Sequence, residues 1–392
     1  MIVRIILFAV AFHMAFSAVR VTASLDTLAH GYGATTVGLM VSLLALLPTF
    51  AAMPFGRLID RVGPRKPLLA AGALLALGTA LPAVFPTASY GLVPLAFGCA
   101  FTGLGMSAAM MVAQQLIGFV SNASNRTANF AWLSMGQAAS GLATPVISGM
   151  LIDAVSHRAA FGFSLAAAAA GLVIALLSVG RFPASWGRPP RLKGSAGREG
   201  AFSLFGDTRV RHVLIVSAVV SMAWDLEIFM FPVYGHAVGL SATEIGWMIG
   251  SFFAATFAVR FLIPFLSKRV SEWTFLFGVL AIGAASYAVF PLFTTLGPLL
   301  VCAFTLGLGL GASQPNVMSL LQTESPPGRV GEALGIRTML TNLCHTVLPT
   351  ALGALASAVG AAAIFFAMAA LMAGTAGFTK FRCGKNPERE GK

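Results

Sequence analysis

The sequence predicts an all-α membrane protein in which twelve transmembrane helices form two six-helix bundles. Three observations support this fold class. Of the 392 residues, 57% are hydrophobic and only 10% are charged, whereas about a quarter of the residues of a soluble domain are charged. The apolar residues form long runs separated by short polar joints, and one longer basic joint divides the runs into six and six. So few charges do not cover a water-exposed surface, and the chain is therefore expected in lipid.

The apolar runs have the length of membrane-spanning helices, which require roughly 20 mostly apolar residues. Breaks between them contain Gly, Pro or charged residues, as at Pro86 and Pro183. The first run has no clear small-residue cleavage site and continues into Arg20 and Asp26, so we interpret it as a spanning helix and not as a signal peptide. The predicted spans are 2–23, 35–56, 67–86, 90–114, 128–152, 160–180, 212–233, 243–266, 273–293, 296–320, 333–358 and 360–379.

The spans and joints predict four segments along the chain. They are an N-terminal bundle at 1–180, a basic cytoplasmic linker at 181–211, a C-terminal bundle at 212–379 and a cytoplasmic tail at 380–392. Most of the 25 Lys and Arg residues lie in the linker, the tail and every second joint. By the positive-inside rule this places both termini in the cytoplasm of a multi-pass protein of the bacterial inner (plasma) membrane.

The charge and cysteine content exclude several other classes of protein. The net charge of +12 would suggest nucleic acid in a soluble protein, but here the basic residues follow the joints, so we expect no nucleic-acid partner. The four cysteines, Cys99, Cys302, Cys344 and Cys383, have no metal-type spacing and suggest no disulfide framework. We therefore expect no metal and no cofactor.

An internal repeat supports the division into two halves. Residues 38–61 align with residues 246–269 at an offset of 208, and residues 145–149 align with residues 349–353 at an offset of 204. Chance similarity between apolar helices is the alternative explanation. Two matches in the same order at nearly equal offsets favour diverged copies in parallel orientation, related by a pseudo-twofold axis.

The joint after the second span carries a family motif. Residues 56–66 read GRLIDRVGPRK, which closely resembles the signature G-x-L-x-D-R-x-G-R-K between the second and third helices of the major facilitator superfamily. The resemblance extends over the whole chain, because its length, its six-plus-six layout, its basic linker and its repeat all agree. It implies the major facilitator fold, a small-molecule substrate and alternating access, and we expect a monomer in the lipid bilayer.

The resemblance also implies an inner gate built from this motif. In the family, the motif aspartate contacts the N-terminal end of the eleventh helix and locks the gate while the protein faces outward. The equivalent helix here is predicted to begin near Gly331. The residues that match the gate motif are Gly56, Asp60, Arg61, Gly63 and Arg65.

Two further family patterns are only partly present. The fourth helix of proton-coupled members carries l-x-x-x-R-x-x-q-G-x-g, but Cys99 occupies the arginine position here, so the usual proton machinery is not inherited unaltered. The fifth helix of drug antiporters carries G-x-x-x-G-P-x-x-G-G. Here Pro145 and Gly149 remain, with small residues at the other positions, and they are expected to allow a kink and close helix packing.

Ionisable residues inside the spans are the sharpest functional candidates, because charges at membrane depth are costly. Asp225 and Glu227 lie in the seventh span and Arg20 in the first, each roughly 21–24 Å along its helix from the cytoplasmic end. In the family, both helices line the central cavity. Arg20 and the two carboxylates are therefore predicted to face each other across it. A structural ion pair, or side chains reaching the outer water, remains the alternative.

Other polar residues in the spans are further candidates for the coupling site or substrate cavity. Arg260 and Arg337 can bind an anionic substrate or pair with a carboxylate, and snorkelling to the inner surface is the alternative. His13, Gln114 and Asn342 can line the cavity or bond between helices.

These features predict a secondary transporter driven by protons, and two substrate classes remain open. The pattern in the fifth span favours efflux of drug-like or amphipathic compounds by an antiporter, and the arginines favour a small organic anion or metabolite. An integral-membrane enzyme that modifies lipids is disfavoured, because no nucleophile–base set or metal-type cluster is visible.

Overall fold

The computed structural model describes residues 1–121, 126–180, 182, 204, 206–266, 272–326 and 330–383. Regular structure within these ranges is helical, and most of the predicted linker and tail lie outside them. The helices are α1 Ile2–Ala29, α2 Ala34–Val62, α3 Arg65–Val84, α4 Thr87–Tyr90, α5 Val93–Val120, α6 Arg126–Ala154, α7 His157–Val179, α8 Thr208–Ala237, α9 Ala242–Leu266, α10 Glu272–Val289, α11 Leu296–Gly311, α12 Ser313–Glu324, α13 Val330–Val359 and α14 Ala361–Cys383, with a 3₁₀ turn at Phe290–Leu292.

The helices confirm the predicted fold class. Within the described ranges, eleven segments are both long and apolar enough to cross a membrane. Helix α6 is not among them, although its 29 residues give it a length of roughly 43 Å. It carries polar residues such as Gln137 and Ser140, and it packs between α1 and α9. With α6 included, every predicted span overlaps helical structure.

The tenth predicted span, 296–320, is divided in the structure. Helix α11 ends at Gly311 and α12 begins at Ser313. Pro315 explains the division, because it lacks the amide hydrogen that would bond to the Gly311 carbonyl in a continuous helix. The four-residue helix α4, between α3 and α5, was not predicted.

Two faces of the bundle are defined by the helix ends. Met1 and Phe182 line one small cavity, and the rings of His212 and Phe378 lie 4.6 Å apart. The chain start therefore lies beside the end of the N-terminal half, and the two ends of the C-terminal half also lie together. Contacts between the halves at the opposite helix ends place both pairs on one face, which we call the terminus face. We call the opposite face the hairpin face; four of its turns contain a glycine with positive φ, namely Gly31, Gly91, Gly239 and Gly360.

The two halves pack against each other through matching helix pairs. Helix α2 of the N-terminal half packs along α13, and α6 packs along α9. Helices α1 and α8, the first helices of the two halves, also contact each other. Within the halves, α1 packs against α5, α6 and α7, and α8 packs against α13 and α14. The interface between the halves is therefore formed by α1, α2 and α6 on one side and α8, α9 and α13 on the other.

Close glycine contacts join the halves near the hairpin face. A β-carbon at Gly38 in α2 would come within 3.0 Å of the Pro349 carbonyl oxygen in α13, and one at Gly246 in α9 would come equally close to the Pro145 carbonyl oxygen in α6. The two contacts are equivalent under the sequence offsets of 208 and 204. The repeat detected in the sequence thus corresponds to two equivalent contacts between helices.

A second pair of glycines repeats this relationship nearer the helix ends. Gly149 in α6 lies against the carbonyl of Ala242, and Gly353 in α13 lies against the carbonyl of Ala34. Each glycine meets the first residue of the partner helix. Because backbone meets backbone at all four positions, the halves are closed against each other at the hairpin face.

The core of the C-terminal half includes a stack of aromatic rings. Phe290 lies between Phe231 of α8 and Phe365 of α14, with ring centroids 4.8 Å apart on each side. All three side chains are fully buried. Such ring pairs contribute about 0.5–1.5 kcal/mol each beyond their burial. The stack anchors α8, the helix that carries Asp225 and Glu227.

Candidate functional site

A charged centre lies on α8, which contacts α1 of the other half and α13 of its own half. We define it as Arg20 of α1, Asp225 and Glu227 of α8, and His345 of α13. Asp225 is 4% exposed and Glu227 is 0% exposed. Arg20 interacts electrostatically with both carboxylates, so the structure brings together the three charged residues that the sequence singled out. His345 joins them as a fourth member.

Asp225 has one satisfied and one unsatisfied oxygen. Its Oδ1 is hydrogen-bonded to Nδ1 of His345, which reaches it from α13. With Asp225 ionised, the imidazole N–H donates to the carboxylate. The other oxygen, Oδ2, is buried and lacks a hydrogen-bond partner among the described residues. The unsatisfied oxygen can accept a proton or a hydrogen bond from a ligand.

Glu227 is the less satisfied of the two carboxylates. Both of its side-chain oxygens are buried, and neither has a hydrogen-bond partner within the described part of the chain. Because Asp225 and Glu227 are two residues apart on a helix, their side chains leave the axis roughly 200° apart. They therefore do not act as a carboxylate pair that shares one proton between adjacent oxygens.

Arg20 stands close to the carboxylates without a direct ion pair. Among the described residues, no Arg20 nitrogen lies within 4.0 Å of a carboxylate oxygen. Its guanidinium lies instead over the ring of Phe16, 5.6 Å from the ring centroid, within the range of a cation–π contact. A buried carboxylate with neither a hydrogen bond nor a contacting cation is unfavourable. Proton or ligand binding between Arg20 and Glu227 would relieve that cost.

Tyrosine and tryptophan side chains support this part of α8. The Tyr287 hydroxyl of α10 donates to the Ala223 carbonyl, one turn before Glu227. The Trp224 ring meets the edge of Phe252 in α9, with centroids 5.0 Å apart. Its indole N–H is buried and lacks an acceptor in the described ranges. An apolar wall with one free donor therefore borders the carboxylates.

His13 occupies a similar position in the N-terminal half. Its Nδ1 is hydrogen-bonded to the Ser140 hydroxyl of α6, and it interacts electrostatically with Arg20 two turns further along α1. The contact joins the first and fifth long helices of its half, as Asp225–His345 does in the other half. His13 thus lies beside the charged centre as well as between helices.

The other two arginine candidates lie outside the centre. Arg337 is 8% exposed, and its Nε donates to the Ser217 hydroxyl at 3.0 Å, which joins α13 to α8 within one half. Arg260 donates from Nη1 to the Ser134 hydroxyl at 2.7 Å, which joins α9 to α6 between the halves. In the described part of the chain, neither is paired with a carboxylate.

The polar candidates Gln114 and Asn342 are also separate from the centre. Gln114 is exposed and Asn342 is half-buried. No hydrogen bond between described residues connects the side chain of either to the charged centre. The structure does not assemble them into the same site.

Part of the gate motif is described. Gly63 follows α2 with a φ of 76°, which explains the glycine in the motif. Arg65 donates to the Phe182 carbonyl and so ties the motif to Phe182, which follows α7. Gly56, Asp60 and Arg61 lie in α2, but the side chains of Asp60 and Arg61 lie outside the described part. The expected contact of Asp60 with α13 stays a prediction.

Pro145 and Gly149 have a partner that the sequence did not reveal. Both lie against the start of α9 in the other half, at the hairpin face.

The sequence analysis also missed two carboxylates, one that is buried and one that caps a helix. Asp26, 3% exposed, accepts a hydrogen bond from the Thr87 hydroxyl, and Asp153 accepts hydrogen bonds from the start of α9. Asp153 follows Gly149 by about one turn, which is the only signal that would have indicated it.

The residues present do not form a metal centre in the described ranges. There, no group of three or more His, Cys, Asp and Glu side chains is arranged to hold a metal ion.

Comparison with known proteins identifies the family. The model of the Major Facilitator Superfamily matches residues 5–345 and 213–390. The chain is 24% identical over 328 residues to the inner membrane transport protein YajR of Escherichia coli (strain K12). The aligned region covers 78% of this chain and 66% of YajR. The chain thus spans just under two thirds of the length of that relative.

Solved structures show the same fold. A POT family transporter in complex with a thioalcohol-conjugated peptide matches with a TM-score of 0.75 at 15% identity, over 97% of this chain and 96% of that one. The nucleoside transporter NupG matches with a TM-score of 0.75 at 13% identity, over 96% of this chain and 98% of that one. The sequence match over most of the chain, together with this fold, shows that the protein belongs to the major facilitator superfamily.

Proposed function

We propose that this protein is a proton-coupled secondary transporter that moves a small molecule across the bacterial inner membrane by alternating access. The observation that carries the proposal is the pair of buried carboxylates, Asp225 and Glu227, with three oxygens lacking hydrogen-bond partners in the described part of the chain. They lie on α8, where it contacts α1 of the other half. Membership of a transporter family supports transport over the lipid-modifying enzyme.

Proton coupling follows from what protonation does at such a site. A charged Glu227 in an apolar environment is unfavourable, and a proton or an approaching cation removes this cost. Arg20 in the other half attracts the charged form only. The two protonation states therefore favour different separations of α1 and α8. A ligand or proton that binds the two arrangements unequally shifts the equilibrium between them.

The substrate class that the site favours is a drug-like or amphipathic compound, moved by efflux. The apolar wall formed by Trp224 and Phe252 beside the carboxylates supports this class, as does the partly preserved drug-antiporter pattern at Pro145 and Gly149. An antiporter needs the proton and the substrate to use the site in turn. The carboxylates, which both species can neutralise, provide such a site for a compound with a positive charge.

Transport of a small organic anion or metabolite is the second candidate. The observation that favours it is Arg20, a half-buried cation whose guanidinium rests on Phe16 without a carboxylate within 4.0 Å in the described part. An anionic group of a substrate can bind such a guanidinium in a bidentate manner. Arg260, which bridges the halves, is a weaker candidate because the Ser134 hydroxyl already accepts from it.

A susceptibility panel distinguishes the two classes. A strain that lacks the gene would be complemented with the wild type, with Glu227→Gln or with an empty plasmid, and grown with a panel of cationic, neutral and anionic compounds. If the protein exports drug-like compounds, the wild type should restore resistance to a subset of amphipathic cations, whereas Glu227→Gln and the empty plasmid should not. Unchanged susceptibility to every compound, together with uptake of organic anions by proteoliposomes under an imposed pH gradient, would support the second candidate.

We also propose that the terminus face lies in the cytoplasm and that the protein acts as a monomer. Basic residues at described helix ends support this orientation: Arg4, Arg65, Lys66 and Arg209 lie at the terminus face, while Arg158 lies at the hairpin face. The relative in Escherichia coli is an inner membrane protein by its description. The closed glycine contacts would then seal the periplasmic side.

A further inference from the structure

The start of α9 is capped by a side chain from the other half of the protein. Asp153, in the last turn of α6, accepts hydrogen bonds from the backbone N–H groups of Ala242 at 3.1 Å and Thr243 at 2.7 Å. The first N–H groups of a helix lack partners within that helix, and the helix dipole favours a negative charge there. The contact therefore combines two charge-assisted hydrogen bonds with a favourable charge–dipole interaction.

Helix α9 also has a complete cap of its own. The Ser241 hydroxyl accepts from the Glu244 N–H at 3.2 Å, and the Glu244 carboxylate accepts from the Ser241 N–H at 2.8 Å. This reciprocal arrangement is a capping box, which stabilises a helix start locally. The helix does not need Asp153 to begin at Ala242. The contact therefore acts mainly between the two halves.

The equivalent position in the other helix pair carries no charge. Under the offsets of 204 and 208, Asp153 corresponds to Ser357 of α13, and Thr243 corresponds to Thr35 of α2. The Ser357 and Thr35 hydroxyls are hydrogen-bonded at 3.0 Å, and Thr35 also donates to the Gly353 carbonyl at 3.3 Å. The neighbouring glycine contacts, Gly149 with Ala242 and Gly353 with Ala34, are alike. The two halves are thus joined by one charged and one neutral version of the same contact.

We propose that Asp153 is an electrostatic latch that holds the hairpin face closed. Opening this face separates α6 from α9, which leaves the N–H groups of Ala242 and Thr243 without their acceptor and the carboxylate without its donors. The charge makes the α6–α9 contact the stronger of the two, so the α2–α13 contact opens more easily. The latch acts on the equilibrium between closed and open forms, and it does not depend on which substrate or ion the centre binds.

The test measures how often the hairpin face opens. Ser148 is 0% exposed and lies one residue before Gly149 in the closed contact. A Ser148→Cys variant without the natural cysteines would be purified in full length, placed in lipid nanodiscs and treated with a water-soluble maleimide. Its labelling rate reports the open fraction, even when that fraction is small. Asp153→Asn removes the charge at nearly constant shape, and Asp153→Ala removes the hydrogen bonds as well.

We expect Asp153→Asn to raise the labelling rate about two- to fivefold, the effect of one charge at a partly exposed helix start, and Asp153→Ala to raise it at least as much. Ser357→Ala is the matched control and should change the rate less than either. A variant that retains only Cys99, which is 0% exposed within the N-terminal half, monitors general loosening. Unchanged Ser148→Cys labelling in both Asp153 variants, or an equal rise at Cys99, would overturn the proposal.

Discussion

Gly246 in α9 lies directly against the Pro145 carbonyl of α6, and a β-carbon at this position would come within 3.0 Å of the carbonyl oxygen. Gly38 meets Pro349 in the same way in the equivalent helix pair. Each glycine follows the N-terminus of its helix by about one turn. Together with the contacts of Gly149 and Gly353, these two equivalent points hold the halves backbone to backbone at the hairpin face.

A methyl group at Gly246 is therefore expected to separate α9 from α6. Gly246→Ala should lower the free energy of unfolding by about 1–3 kcal/mol, because the added carbon meets backbone that cannot rotate away. Thermal unfolding of the purified protein measures the effect. Gly278→Ala in α10 is the control, since a β-carbon there meets no atom within 4 Å and alanine favours the helix. Equal melting temperatures for the two variants would show that the interface has room to adjust.

His345 is expected to stabilise Asp225. Replacement His345→Phe removes the only hydrogen bond to the Asp225 side chain that the structure describes, and leaving a buried acceptor unsatisfied costs about 1–3 kcal/mol. The melting temperature should fall accordingly. His236→Phe, at the exposed end of α8, should have a much smaller effect. A His345→Phe variant as stable as wild type would mean that water or another residue replaces the imidazole.

Arg20 is expected to act through its positive charge. Arg20→Gln removes the cation that interacts with Asp225 and Glu227, and gradient-driven transport in proteoliposomes should fall at least tenfold, a loss of about 1.4 kcal/mol or more. Arg20→Lys keeps the charge but not the planar guanidinium, so partial activity is expected. Full activity in Arg20→Gln would assign this residue to packing against Phe16.

The orientation of the chain can be measured in intact cells. In a background without natural cysteines, Ser156→Cys at the hairpin face should react with a membrane-impermeant maleimide added outside. Thr208→Cys at the terminus face should react only after the cells are opened, because the positive-inside rule places that face in the cytoplasm. Both positions lie at exposed helix ends. The reverse pattern of labelling would invert the proposed topology.

The positions of the helices could be predicted from the sequence because hydropathy over some 20 residues determines which segments enter a membrane. The charge at Arg20, Asp225 and Glu227 was equally visible, since few ionisable residues interrupt the spans. Gly63 was visible as part of the gate motif, and its positive φ is a conformation that favours glycine. Properties that depend on local composition were therefore accessible without the structure.

Contacts between distant helices were not accessible in this way. His345 meets Asp225 across 120 residues of sequence, and Asp153 meets Thr243 across 90. Such contacts depend on how each helix is rotated about its axis, and a helix with apolar residues on all sides gives little indication of its rotation. For the same reason, the hydrogen bond from Arg260 to Ser134 in the other half was not predicted.

Coupled flux of the glutamate variant tests the central proposal most directly. Proteoliposomes with wild-type protein or Glu227→Gln would be compared in two assays with a compound identified by the susceptibility panel. One assay is accumulation driven by an imposed pH gradient, and the other is exchange of labelled for unlabelled compound at equal pH, which requires no net proton movement. We expect wild type to perform both, and Glu227→Gln to exchange the compound without accumulating it. Wild-type accumulation in both Glu227→Gln and Asp225→Asn would contradict the assignment of proton coupling to these carboxylates.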